Sequence, residues 1–580
     1  MKKRRVYGFS TCILLGFFIL LAQLSNLQLF STEHYGPDHV NLLEESVAQR
    51  TQQLEIHDGR GAIVDRDLVP LNRKDVEDIM LAPYLNELAL PERFQQYFTE
   101  EEMDKMLKAV KETDGPVYYT DIDGLPELTS DQLVKIQELN HPALYTVQRS
   151  MQLDVPTLAS HLVGIVSENR EAFEEKYPEL TDVDTDTPIG GIGLEKTMDP
   201  FLLSKGSERL LFHVDGNGDP LLGLDIFYRG DPDEYYPLKL KTTIDSTYQQ
   251  KAEALLQEYG IDKGGVVLLD VRTREVLAMA SLPALERTNL SETATNHILT
   301  RNMPGSVFKV VVAAAALEHP KVNTRQSFNC NLNKDGESES SRPLGALTFE
   351  ESFYQSCNYT FASLTKDMLA YSPTVLEDYA DKLGLMNPPG WVGDVFKEQD
   401  VSQLSPNPAG TIWSEDDQEN VGEAITQTAI GGKNVMFSPL SIANMMATIA
   451  DGGTKKEVRV VTDLLYENNV SLFSFDEHED KENKLSPYTV NQLQKLLMGV
   501  TEQGTAQALK GQSIAGKTGT ANIRGSKEEE SIDNHYWFAG YFPVEQPAYA
   551  MVVVDLNTNQ NGGRHVALFG DFAQSIMAGP

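Results

Sequence analysis

Gly265-Val266-Val267-Leu268-Leu269-Asp270 runs through Val271-Arg272-Thr273-Arg274 directly into Glu275-Val276-Leu277-Ala278-Met279. Two apolar runs joined by so short a polar turn form a β-hairpin. The far end of the chain repeats the pattern: Tyr536-Trp537-Phe538-Ala539-Gly540-Tyr541-Phe542, a proline-containing turn, then Tyr549-Ala550-Met551-Val552-Val553-Val554. The sheet is therefore expected to be antiparallel at both ends. Between the hairpins the pattern is mostly helical, as at 310–317 and 439–449, with polar loops at 334–342, 387–419 and 475–486. A sheet drawn from both ends and covered by helices is an α/β fold of the layered α+β kind.

Outward from that core, 580 residues exceed what one hydrophobic interior serves, so at least two domains are expected. The expected division is 1–30 for a cytoplasmic tail and membrane anchor, 31–58 for a polar, weakly helical stalk, 59–235 for a mixed, acidic N-terminal domain, and 236–580 for the domain with the chemistry. Lys2-Lys3-Arg4-Arg5 precedes a nearly uncharged run at 6–24, 19 residues long. Roughly 20 residues at about 1.5 Å each cross a hydrocarbon core. The basic flank predicts a cytoplasmic N-terminus and an extracytoplasmic remainder, a single-pass cell-membrane protein. A cleavable signal peptide is the rival reading, but no small-x-small site follows Leu21 and the run is long for one.

With 49 Lys+Arg against 85 Asp+Glu, the net charge of −36 repels a phosphate backbone, so nucleic acid is not an expected partner. Of three cysteines, Cys12 lies in the apolar run; Cys330 and Cys357 lie where oxidation is permitted and either pair or stay free. The eleven histidines show no metal-ligand spacing with cysteine, and neither a metal nor a cofactor is expected.

Three short elements occur in order: Ser306-x-x-Lys309, Ser356-Cys357-Asn358 and Lys517-Thr518-Gly519. A serine hydroxyl needs a base within hydrogen-bond reach, and residues i and i+3 share one helix face. A lysine is a base only when its pKa falls, which burial and a second cation achieve. Val310-Val311-Val312-Ala313-Ala314-Ala315-Ala316 predicts a buried helix for Lys309, and Lys517 is the candidate second cation. Pro304-Gly305 predicts Ser306 in the first turn, where unpaired N–H groups and the helix dipole favour an oxyanion.

Two rival readings use the same residues. A second copy, Ser363-Leu364-Thr365-Lys366, with Ser405-Pro406-Asn407, completes a decoy set, but it has no turn ahead of its serine. Gly511-Gln512-Ser513-Ile514-Ala515-Gly516-Lys517-Thr518 matches a phosphate loop, yet no apolar strand enters it and Gly519 follows where a helix should continue. No Gly-x-Ser-x-Gly elbow supports a Ser-His-Asp triad.

The ordered triplet resembles that of β-lactamases and penicillin-binding proteins. With Arg60-Gly61-Ala62-Ile63-Val64-Asp65-Arg66, Gly191-Ile192-Gly193-Leu194-Glu195 and Gly504-Thr505-Ala506, the chain resembles the class B penicillin-binding proteins throughout its length. The resemblance implies one membrane helix, an elongated dimerisation-type domain over 59–235 and a transpeptidase domain over 236–580. It implies a peptidoglycan D,D-transpeptidase that cross-links stem peptides through a Ser306 acyl-enzyme and is inhibited covalently by β-lactams. By carry-over, Lys309 takes the serine proton, Ser356 relays a proton to the leaving group, and Asn358 holds substrate and Lys309. Lys517, Thr518, Gly519 and Thr520 form the carboxylate-binding wall, and the N–H groups of Ser306 and Thr520 form the oxyanion hole. No glycosyltransferase-type domain precedes residue 240, which implies a separate glycan polymerase partner. A D,D-carboxypeptidase or β-lactamase-like hydrolase is the alternative, and a non-enzymatic β-lactam sensor or wall-synthesis scaffold the third. Asp67-Leu68 departs from the family's glycine-containing turn, and Cys357 inside the second motif is expected to be a small packed thiol, with a reactive or disulfide-bonded one as the alternative.

Overall fold

The computed structural model describes every residue except 1, 27, 29–50, 58, 87, 89, 114–115, 140, 142, 179, 181–186, 204–207, 214–226, 230–236, 339–341, 414–420, 525–531, 561 and 580. Helix α1 (Lys2–Ser25) contains a span, Tyr7–Ser25, long and apolar enough to cross a membrane, with Phe17, Phe18 and Leu20 exposed along it. The chain forms two compact units, one of residues 1–59, 75–151 and 206–233, the other of 60–74, 152–205 and 234–580.

The first unit is built on a six-stranded sheet in which Thr51–His57 lies between Leu144–Gln152 and Glu208–His213. This corrects the stalk expected at 31–58: Thr51–His57 is a strand, and 31–50 and 58 lie outside the described residues. Gln52 pairs with Phe212 and Leu54 with Leu210, a partnership about 160 residues distant in sequence that no local pattern announces. Ile79, Leu81, Phe94, Phe98, Met106, Leu133 and Ile136 form this unit's own core.

In the second unit the expected hairpin appears as β1 (Gly264–Asp270) and β2 (Val276–Leu282). Helices α2 (Lys309–Glu318), α3 (Phe349–Tyr354), α4 (Asn358–Leu369), α5 (Pro439–Ala450) and α6 (Pro487–Gln503) follow. Strands β3 (Ala515–Arg524), β4 (Ile532–Phe542) and β5 (Tyr549–Thr558) and helix α7 (Arg564–Met577) end the chain. The sheet order is β2-β1-β5-β4-β3, antiparallel at every pairing. Residues of β1, β2 and β5 are buried at consecutive positions, which requires cover on both faces. Helix α5 packs on β1, β4 and β5, and α7 on β4 and β5.

Strand β3 is the element that the apolar pattern does not mark. Ala-Gly-Lys-Thr-Gly-Thr-Ala-Asn-Ile-Arg is poor in strand formers, yet each residue from Ala515 to Arg524 is in register with β4, with Lys517 opposite Ala539 and Gly519 opposite Trp537. The edge of the sheet thus presents the third motif. Helix α2 is as buried as its valine-alanine run predicts, with Val310, Val311 and Val312 fully enclosed. Each such valine contributes roughly 1.5–3 kcal/mol of burial.

The two family-type signatures meet inside this unit. Arg60 donates to Glu195 Oε2 through Nε at 2.9 Å and Nη2 at 2.6 Å, and to Asp199 Oδ1 at 2.8 Å. Asn72 donates to the other Glu195 oxygen at 2.7 Å, so Glu195 is satisfied at both ends. Beside them, Asp65 Oδ1 accepts from the N–H groups of Asp67 and Val69, which closes the Asp67-Leu68 turn with Leu68 at φ +69° in place of a glycine.

Candidate active site

Ser306 sits in a 3-10 turn, Gly305–Phe308, that continues directly into α2. The sequence reading had an α-helical first turn here; the tighter turn has three residues per revolution, so Ser306 and Lys309 leave the backbone on the same side. Gly305 has φ +53°, and a Cβ there would stand 2.2 Å from Thr520 O. A Cβ on Gly519 would stand 2.4 Å from Pro304 O. These two glycines let the Ser306 turn lie directly against β3, which brings the backbones of Ser306 and Thr520 together.

The second motif is the turn between α3 and α4. Ser356 adopts φ +58°, left-handed and costly by about 1–3 kcal/mol for a residue with a Cβ. The conformation is held from two directions. Cys357 N donates to Ser352 O at 2.8 Å, and Cys357 forms a disulfide with Cys330, Cα to Cα 5.9 Å. The packed-thiol expectation for Cys357 is thereby corrected: both sulfurs are buried, and oxidation links the motif to the segment before the 334–342 loop.

The lysines of the first and third motifs converge on this turn. Lys309 Nζ donates to Asn358 Oδ1 at 2.7 Å, Ser356 O at 2.8 Å and Ser356 Oγ at 3.1 Å. Lys517 Nζ donates to Ser356 Oγ at 3.2 Å and to Thr518 O at 3.0 Å. Both ammonium groups are fully buried, and among the described residues neither pairs with a carboxylate. Their other neighbours are aromatic faces, Phe361 at 5.5 Å from Lys309 and Phe353 at 5.8 Å from Lys517. Burial, then the charge of Lys517, then that of Arg342 hold the Lys309 pKa well below the ordinary lysine value. Burial, with Arg342 second, brings Lys517 down to about 7. Lys517 is thereby an amine able to exchange a proton near neutrality, and Lys309 one that gives up its proton more readily than an ordinary lysine.

Ser306, Ser356, Asn358, Thr505, Thr518 and Thr520 line one cleft of about 910 Å³. Thr505 and Thr518 share a hydroxyl hydrogen bond of 2.6 Å, which fixes the Thr518 side chain on the cleft wall. Thr505, Arg342 and Glu423 are among the cleft residues outside the three motifs. Thr505 had a signal, its place in Gly504-Thr505-Ala506, whereas Arg342 and Glu423 stand in polar stretches with none.

The rival sets come apart. Lys366 of the second Ser-x-x-Lys copy is exposed on α4. Asn407 is spent on the Gly390 backbone, accepting from its N–H at 2.9 Å and donating to its carbonyl at 3.1 Å. Gly511 to Thr518 is a turn entering β3, with no helix after the lysine to receive a phosphate.

The family profile described as the penicillin binding protein transpeptidase domain matches residues 264–577. Peptidoglycan D,D-transpeptidase PbpA of Mycobacterium tuberculosis is 26% identical over 431 residues, covering 67% of this chain and 80% of that protein. The peptidoglycan D,D-transpeptidase FtsI homolog of Mesostigma viride is 24% identical and covers 96% of this chain and 92% of its own length. Among solved structures, a chain of a peptidoglycan synthase complex superposes with a TM-score of 0.66 at 22% identity, covering 99% of this chain and 98% of that one. A D,D-transpeptidase domain of a peptidoglycan glycosyltransferase from Eggerthella lenta gives 0.57 at 19% identity, covering 90% and 98%. At those identities the structures establish the fold.

Proposed function

The chain belongs to the penicillin-binding protein transpeptidase family, within it to the class B proteins, and on that premise we propose how its residues cross-link peptidoglycan stem peptides. The observation that carries the reading is the convergence of two buried, unneutralised lysines on Ser356 beside Ser306. Lys309, deprotonated, accepts the Ser306 hydroxyl proton while Ser306 Oγ bonds to the carbonyl carbon of the penultimate D-Ala. The oxyanion lies against the N–H groups of Ser306 and Thr520. The C–N bond to the terminal D-Ala then breaks, its nitrogen taking a proton from Ser356 Oγ, which is replenished from the lysine ammonium groups bonded to it. An acyl ester remains on Ser306. The amine of a second stem attacks it, loses a proton to the same relay and forms the cross-link, and the ester C–O bond breaks to return the proton to Ser306.

Thr518, Thr520 and the Lys517 charge hold the substrate's terminal carboxylate, and Asn358 fixes Lys309 and the substrate amide. A β-lactam acylates the same serine because its strained amide stands beside a carboxylate. Helix α1 anchors the chain in the membrane; the basic residues at its start orient the N-terminus to the cytoplasm, residues 75–151 and 206–233 form the non-catalytic domain, and 236–580, in one compact unit with 60–74 and 152–205, the transpeptidase. Glycan polymerisation falls to a partner protein.

The test is covalent labelling of the full-length protein in detergent by a fluorescent penicillin, with peptide mass mapping. Label is expected on Ser306, abolished in Ser306→Ala and retained in Ser363→Ala. Full labelling of Ser306→Ala overturns the assignment. The bound label is expected to persist for many minutes; rapid turnover of a chromogenic cephalosporin moves the protein to the hydrolases.

A further inference from the structure

Among the described residues, Lys334, Arg342 and Lys433 line the cleft together with one acid, Glu423. In a chain of net charge −36 that local excess of cations is not a reflection of composition. Lys334 is engaged by Asp335 at 2.6 Å. Arg342 is different. Among the described residues no carboxylate pairs with it, and its one hydrogen bond runs from Nη2 to Gln355 O at 2.7 Å. A guanidinium has five N–H donors, so most of the fork stays available while that bond tethers it to the residue just before Ser356.

Arg342 also stands close enough to Lys309 and Lys517 that its charge adds to the depression of both amines. Arg342 thus adds positive charge beside Lys517 in a cleft where Glu423 is the one acid among the described lining residues, and that charge favours an incoming anion. One substrate carboxylate, the C-terminal one, already has Lys517, Thr518 and Thr520. The planar fork of Arg342 suits a further carboxylate in a bidentate grip that a lysine cannot reproduce.

We propose that Arg342 is a specificity-determining residue of the donor site, its guanidinium binding a second carboxylate of the stem peptide, distinct from the C-terminal one. This rests on the transpeptidase reading. The full-length protein in detergent is given two synthetic donor peptides, both ending in D-Ala with a free C-terminus, one bearing a second carboxylate and the other the corresponding amide. Within each variant the ratio of kcat/KM for acid over amide is measured, which cancels any effect of Arg342 on the lysines. The wild type is expected to favour the acid by about 10- to 100-fold, the yield of one charge-assisted, bidentate contact. Arg342→Gln is expected to bring the ratio to within about threefold of unity, and Arg342→Lys to an intermediate value. A wild-type ratio near unity, or a ratio that survives Arg342→Gln, overturns the assignment. Penicillin labelling of the same samples separates the two claims: labelled protein without discrimination ends only the Arg342 proposal, while unlabelled wild type ends the transpeptidase reading, and labelled Arg342→Gln demonstrates that the variant is folded.

Discussion

Two clusters of buried charge in the second unit obey opposite rules. Around Arg60, positive and negative groups are matched: Glu195 and Asp199 each take a guanidinium bond, and Lys176 and Tyr177 donate to the second Asp199 oxygen at 2.8 and 2.7 Å. Burial alone would lower the Arg60 pKa, but the two carboxylates outweigh it and the value is raised. Around Ser356, Lys309 and Lys517 are just as buried and have hydroxyl, carbonyl and amide oxygens for company, with no carboxylate partner among the described residues. There, burial and like charge act in the same direction, and both amines are poised to lose a proton. The first arrangement uses charge to hold structure; the second leaves charge uncompensated, at a cost in stability, and the proposed mechanism draws its base from there.

The same substitution applied to both clusters separates them. Lys309→Met is expected to reduce the rate of penicillin acylation by at least ~10³-fold, as loss of a general base does, while leaving the melting temperature equal or higher because a buried unpaired cation has been removed. Arg60→Met is expected to do the reverse: it strands Glu195 and Asp199 and costs about 3–5 kcal/mol, with acylation of the folded fraction retained. Stopped-flow labelling and thermal melts of both variants read the contrast directly. A destabilised Lys309→Met of undiminished activity would remove the distinction.

The matched cluster holds itself by ion pairs, whereas the cationic one depends on a covalent link. The Cys330–Cys357 bridge spans 27 residues and fastens the left-handed Ser356 turn on which both lysines converge. Replacing both cysteines by serine is expected to cost about 3–4 kcal/mol by the chain-entropy estimate. Acylation is expected to slow by about tenfold, since a small displacement of Ser356 misaligns the relay. Denaturant titration and labelling rates check the two effects separately; a stability loss with an unchanged labelling rate would mean that the helices alone fix the turn.

What the sequence made legible follows the range of each interaction. Hairpins, the buried helix behind Ser306 and the membrane-length run at 6–24 are local patterns, each visible in one short continuous stretch. Ser306, Lys309, Ser356, Asn358 and Lys517 were readable because three motifs occur in fixed order, although no spacing reveals that both lysines meet on one hydroxyl. Strand β3 was hidden because its two glycines and its lysine oppose strand propensity; β4 and the Ser306 turn impose the conformation from outside. The disulfide and Arg342 belong to the same class, since pairing across 27 residues or from a polar loop leaves no periodic trace.

A third group extends the comparison with the smallest expected effect. His565 is buried at the start of α7 against Tyr536, ring centroids 5.6 Å apart, and like Lys309 it has no acidic partner among the described residues. Burial, then the charge of Arg564 beside it, lowers its pKa to about 4. The N-terminal end of the helix dipole disfavours the imidazolium in the same direction. With a folded pKa near 4 and an unfolded one near 6.5, the unfolded state binds more protons as pH falls. The contribution is therefore fully present above about pH 6.5 and lost on the way down to about 4. At pH 5 this amounts to about 2 kcal/mol for His565 alone. His565→Gln is accordingly expected to shed about that much of the acid destabilisation between pH 8 and pH 5, measured as the difference in unfolding free energy, without altering acylation at pH 7. His297 and His535, also lowered to about 4 chiefly by burial, retain the rest of the slope. A variant with the full wild-type slope would show that the His565 ring reaches solvent when charged, and that burial beside a cation does not by itself depress a base durably.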